Sequence, residues 1–95
     1  MQAQNSQPDD RTFDVDTMMR TLLRDVLGLS QDRVDAFDAG APLFGALPEL
    51  DSMAVAGLLT EIEDRFHFLI EDEDIDGDTF ETFGSLVAFA QGKLA

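Results

Sequence analysis

Residues 51–66 read Asp-Ser-Met-Ala-Val-Ala-Gly-Leu-Leu-Thr-Glu-Ile-Glu-Asp-Arg-Phe. Val55, Leu58, Leu59, Ile62 and Phe66 recur at helical spacing, and Leu69 extends the series. That spacing lays one apolar stripe along a helix. Asp51 and Ser52 stand just ahead of it, where short polar side chains accept the unbonded amides of a first turn. The stretch predicts a helix that buries one face and opens on a serine. Glu61, Glu63 and Asp64 fall off the stripe, and the acidic run Glu71–Gly77 is expected to break the helix.

Upstream, Val15, Met18, Met19, Leu22, Leu23, Val26 and Leu27 form a second stripe. Asp14 or Asp16 stands where a cap is needed, Gly28 where the helix should end, and Arg20 and Arg24 on the polar side. Downstream, a helix over Phe83–Gln91 buries Leu86, Val87 and Phe89 or Ala90, with Thr82 at the cap and Gly92 at the end. A short third helix is expected at Thr79–Phe83, where Asp78 and Glu81 have capping-box spacing. Leu29–Leu50 is irregular and contains Pro42 and Pro48. Leu29, Val34, Phe37, Leu43, Phe44, Leu47 and Leu50 are spaced along it as anchors, with a short helical turn near Gln31–Phe37. No stretch alternates as a strand would. The predicted fold is all-α: a small four-helix bundle, three longer helices and one short third helix, with a long first crossover loop. Residues 1–12 are expected to be a disordered tail and 13–95 a single domain.

Composition narrows the function classes. Ninety-five residues make one small domain with little room for a multi-loop active site. Net charge is −14, of which −5 falls in residues 1–50 and −9 in 51–95. Such a surface repels nucleic acid and anionic membranes and steers basic protein surfaces toward it. Cysteine is absent, so the chain has no disulfide, thiolate ligand or thiol nucleophile of its own. No apolar run approaches the roughly 20 residues of a membrane span, and the polar start Met1–Asp10 lacks the apolar core of a signal peptide. A monomeric cytoplasmic protein is expected.

Most chemical motifs fail on inspection. Asp72-x-Asp74-x-Asp76-Gly77 matches the first half of an EF-hand loop. The bidentate glutamate that closes such a loop is replaced by Phe83, and Glu81 falls two residues short. The alternative of an acidic calcium-binding module rests on this cluster alone. His67 is the sole histidine and has no cysteine to share a zinc ion with. It lies about 22 Å along the helix from Ser52, too far to act as its base. Phosphate-cradling glycine loops are missing. No metal site and no catalytic group is expected. Ser52 remains, a hydroxyl without a base at a helix start, where a phosphodiester would be well placed.

With this pattern in view, the chain resembles the acyl carrier proteins. The likeness is carried by Asp51-Ser52-Met53, Leu58, Leu59, Ile62-Glu63, Phe66 and Ile70, then by Thr82-Phe83-Gly84-Ser85-Leu86 and by Leu27-Gly28-Leu29. It covers about Val15 to Leu94. The resemblance implies a carrier that catalyses nothing. Its 4′-phosphopantetheine would be transferred from coenzyme A to Ser52 by a phosphopantetheinyl transferase, with Asp51 and Met53 flanking the attachment point. Acyl groups would ride on that arm as thioesters. Ala56, Thr60, Glu63 and Asp64 would form the docking face for basic patches of partner enzymes. The stretch Leu47-Pro48-Glu49-Leu50 before Asp51 resembles stand-alone carriers that serve exopolysaccharide and exosortase systems beside an acyl-CoA-ligase-like enzyme. An aminoacyl or peptidyl carrier, loaded by an adenylating enzyme, fits the same residues. Ala54 and Gly57 stand where many fatty-acid carriers have acids.

Overall fold

Three stripes and one pinned loop account for the architecture. The structure, a computed structural model, describes residues 14–94. The expected tail, residues 1–12, lies outside them. Helix α1 spans Val15–Leu27, α2 Gln31–Asp35, α3 Ser52–Phe66 and α4 Phe83–Leu94, and a 3-10 turn covers Asp72–Asp74. The fold is an all-α bundle of three longer helices and one short one, without a β-strand among the described residues.

Helix α1 is the hub and packs against α2, α3 and α4. Met19, Leu22 and Leu23 of α1 are excluded from solvent together with Val34, Leu58, Ile62 and Leu86. Each such side chain contributes about 1.5–3 kcal/mol relative to an exposed position. Gly28 closes α1 at φ 72°, a left-handed conformation that glycine adopts without strain. Asp14 occupies the cap position without a side-chain bond. Asp16 serves instead as the ion-pair partner of Arg20, 2.6 Å away.

Arg20, expected on the polar side, does more than face water. Its guanidinium donates to Val34 O and lies 4.5 Å above the centre of the Phe83 ring. One side chain thereby ties α1 to α2 and α4. The sequence pattern missed this because a long arginine stem can cross apolar surface while its head finds acceptors elsewhere.

The crossover from α2 to α3 is held by backbone pairing. Leu43 N–H donates to Glu81 O at 2.9 Å and Phe44 N–H to Phe80 O at 3.0 Å. In return, Phe83 N–H donates to Ala41 O at 2.9 Å and Gly84 N–H to Ala39 O at 2.8 Å. The helical turn expected within Gln31–Phe37 is α2, so the short helix comes second in the chain rather than third. At Thr79–Phe83, where a short third helix is predicted, the chain forms turns. The amides of Phe83 and Gly84, which such a helix would aim at the carbonyls of Thr79 and Phe80, donate to the crossover loop instead, and Asp78 and Glu81 form no capping box. The reciprocal cap sits one element later. Ser85 N–H donates to Thr82 Oγ1 at 3.0 Å and Thr82 N–H to Ser85 Oγ at 3.1 Å, opening α4.

Two helix ends also differ from the periodic reading. Helix α3 stops at Phe66 because His67 turns left-handed, at φ 62°. Leu69 therefore leaves the stripe and is 72% exposed. Helix α4 runs through Gly92 to Leu94. Lys93 anchors this extra turn, with Nζ 2.8 Å from Asp74 and 5.8 Å from the centre of the Phe68 ring.

A methyl group at position 84 would meet Ala39 O at 2.6 Å. Gly84→Ala is expected to destabilise the fold by about 1–3 kcal/mol despite alanine's higher helix propensity, measured by urea denaturation. The Lys93 ammonium holds the Asp74 carboxyl below its ordinary 3.8, helped by the Glu71 amide. A depressed folded pKa adds stability above the unfolded value that is lost as pH falls through the folded one. Lys93→Met should therefore lower the urea midpoint at pH 7, and its difference from the parent chain should shrink as pH drops below 3.8.

Candidate functional site

Helix α3 begins on a cap that leaves its first residue free. Asp51, in extended backbone, accepts the Ala54 amide on Oδ1 at 2.8 Å. Its carbonyl accepts Val55 N–H at 3.0 Å, the first bond of the helix. Ser52 is the first helical residue and is exposed. The amides of Ser52 and Met53 precede the intrahelical ladder and have no acceptor within it. A hydroxyl, two such amides and the positive end of a helix dipole thus share one corner of the molecule. Met53 beside them is 84% exposed.

No base of this chain stands along α3 behind the hydroxyl. His67 is at the opposite helix end, capping it through its own N–H to Glu63 O at 2.9 Å. The arrangement suits acylation or phosphorylation of Ser52 by an external enzyme and not hydrolysis by the chain itself.

The residues expected to form a docking face are distributed unevenly. Ala56, Thr60 and Asp64 are exposed on α3. The Thr60 hydroxyl donates back to Ala56 O at 3.2 Å. Glu63 is half-buried, and its carboxylate accepts the Ile70 amide at 2.8 Å. It therefore ties down the chain beyond α3. Glu61 is paired with Arg65 at 2.9 Å.

One feature of the site escaped the sequence pattern. A cleft of about 180 Å³ is lined by Phe44, Val55, Asp76, Gly77 and Phe80. Val55 lies one helical turn from Ser52. Phe44 and Phe80 reach the cleft because their backbones pair in the ladder described above. Phe44 reads in sequence as a loop anchor like its neighbours, yet it is 53% exposed. Only the pairing of loop 39–44 with 80–84 reveals why. Asp76 Oδ1 accepts the Asp78 amide at 2.9 Å and the Thr79 hydroxyl at 3.2 Å, which folds the acidic loop back on itself.

The calcium alternative finds no geometric support. Asp74 is taken by Lys93, and among the described residues no group of three or more acidic or imidazole side chains is arranged to hold a metal ion.

The family model described as a phosphopantetheine attachment site matches residues 19–90. The chain belongs to the acyl carrier protein family. A holo acyl carrier protein from Nitrosomonas europaea, solved in solution by NMR, is 42% identical to it. The match covers 84% of this chain and 94% of that one, with a TM-score of 0.75. No curated protein matches the chain. The carrier's prosthetic group is phosphopantetheine, covalently bound. The corner at Ser52 fits such a group: an exposed hydroxyl to esterify, and unpaired amides beside it for phosphate oxygens. The carrier is not an enzyme, and it works with a phosphopantetheinyl transferase and with enzymes that handle the arm's cargo. No helix of the described residues is long and apolar enough to cross a membrane.

The cap itself is testable. Asp51→Ala is expected to cost about 1 kcal/mol of stability. Amide exchange in the first turn of α3, followed by NMR, should quicken at Ala54 while α1 and α4 keep their protection.

Proposed function

We propose that Ser52 is the attachment point of 4′-phosphopantetheine and that the carrier domain, residues 13–95, delivers acyl groups as thioesters to partner enzymes. The observation that carries this reading is the exposed Ser52 hydroxyl at the first position of α3, with Asp51 already occupied by the cap. Ser52 Oγ attacks the pyrophosphate of coenzyme A bound to the transferase. The bond from Oγ to phosphorus forms as the bond to the departing adenosine bisphosphate breaks. The hydroxyl proton passes to a base of the transferase. Asp51 orients Ser52 by fixing the first turn, and its carboxylate adds negative charge beside the seryl oxygen. When bound, the prosthetic group supplies the thiol that this cysteine-free chain lacks.

An acyl cargo is favoured by the 42% identity to an acyl carrier protein. The aromatic and aliphatic walls of the cleft, Phe44, Val55 and Phe80, suit an apolar cargo folded back beside α3. The loading enzyme is assigned as an acyl-CoA-ligase-like or acyltransferase enzyme, following the Leu47–Leu50 stretch and its likeness to exopolysaccharide-associated carriers.

Incubation with coenzyme A and a broad-specificity transferase, followed by intact-mass analysis, should add one phosphopantetheine to the parent chain and none to Ser52→Ala. Failure of the parent to gain mass, or gain by the alanine variant, rejects the assignment. Loading the holo form with an acyl-CoA-ligase-like enzyme should then add an acyl mass that hydroxylamine removes. Loading only by an amino-acid-adenylating enzyme would reassign the cargo.

A further inference from the structure

Resting on Ser52 as the attachment point, we propose that Asp76 sorts the cargo by hydrogen-bond polarity. The cleft beside α3 takes a short acyl group bearing a hydroxyl and turns away its oxo or carboxylate counterparts. The cleft is about 180 Å³ and is lined by Phe44, Val55, Asp76, Gly77 and Phe80. That is below the roughly 300–1,000 Å³ of ordinary small-molecule sites, so it suits a short group and not a long alkyl chain. Phe44, Val55 and Phe80 present only hydrocarbon, and Gly77 has no side chain. Asp76 alone in the lining has a side chain able to form a hydrogen bond. A polar group on the cargo must find its partner there or go unpaired, which is unfavourable in an apolar cleft.

The Asp76 carboxylate is held by one oxygen and open at the other. Oδ1 accepts the Asp78 amide at 2.9 Å and the Thr79 hydroxyl at 3.2 Å. The Thr79 hydroxyl in turn accepts the Asp76 amide at 3.2 Å, and Thr79 is buried. Asp76 is thereby anchored from inside the fold, although the residue itself is exposed. Oδ2 has no hydrogen-bond partner among the described residues. A carboxylate accepts and does not donate. A cargo hydroxyl donates to Oδ2 while its carbon chain lies against Phe44, Val55 and Phe80. An oxo group in the same place sets acceptor against acceptor, and a carboxylate sets like charge against like charge.

Butyryl, 3-hydroxybutyryl and acetoacetyl groups share one chain length and differ only in the group offered to Asp76. A broad-specificity transferase loads each onto the apo chain from its coenzyme A thioester, which intact mass verifies. Escape of the acyl group to added 2-mercaptoethanol is then followed as the return to holo mass. Each rate is divided by that of the same group on free pantetheine. The arm is common to all three, so its own hydrogen bonds cancel. At an exposed carboxylate the effect is screened, so 3-hydroxybutyryl should escape about threefold more slowly than butyryl, and acetoacetyl no more slowly than butyryl. Asp76→Asn keeps Oδ1 for its two loop contacts and puts an amide donor where Oδ2 was. That variant should slow acetoacetyl by about threefold relative to the parent chain. Equal escape of butyryl and 3-hydroxybutyryl in the parent, acetoacetyl held as well as 3-hydroxybutyryl, or an unchanged acetoacetyl rate in Asp76→Asn overturns the proposal. Circular dichroism checks that the variant is folded, and the comparison within the parent chain decides if it is not. Absence of any mass gain would remove Ser52 as the attachment point, and this proposal with it.

Discussion

The backbone pairing between residues 39–44 and 80–84 is the constraint from which the rest of the site follows. Four hydrogen bonds of 2.8–3.0 Å join the crossover loop to the entrance of α4. They take the amides of Phe83 and Gly84 that would have closed the turns of a short helix at Thr79–Phe83. They also set Phe44 and Phe80 side by side at the cleft next to α3. Had those residues formed a helix, the loop before α3 would have lost its seat, and Asp51 with it. The Ser52 corner is thus positioned from both sides, by the ladder ahead of α3 and by the α1 interface beneath it.

Much of this was legible in the sequence, for identifiable reasons. Stripes of period 3.6 located α1, α3 and α4, because burial of Leu22, Leu58 or Leu86 leaves a mark every three or four residues. Asp51 and Gly28 marked helix ends through chemistry that is local to the backbone. The missed features depend on partners distant in sequence. Thr79–Phe83 has local capping signals, but its backbone groups bond to a loop about forty residues upstream. Gly92 looks like a terminator, and Lys93 overrides it by reaching Asp74. His67 gives no warning that it will turn left-handed and carry Leu69 out of the stripe.

The distribution of charge separates two jobs that a −14 chain could have combined. The five described basic residues, Arg20, Arg24, Arg33, Arg65 and Lys93, are all ion-paired. The pair of Arg33 with Glu49 holds the Glu49 carboxyl below its ordinary value and pins the approach to α3. Carboxylates left over from these pairs lie mainly outside the first turns of α3. The carrier therefore has long-range electrostatic reach, while at the serine itself the exposed Asp51 carboxylate stands beside a first turn without other charge.

The close approach at Gly84 carries a consequence for how freely this sequence could have varied. A methyl there would meet a carbonyl oxygen of Ala39, which is main chain. When two side chains collide, a smaller residue on the other side can make room. No substitution shrinks a peptide oxygen. Relief at position 84 would require the loop itself to move, and the same strand of loop supports Phe44 and the approach to Asp51. A residue with no side chain at all is thus among the least negotiable in the molecule, although it lies outside both α3 and the lining of the cleft beside it.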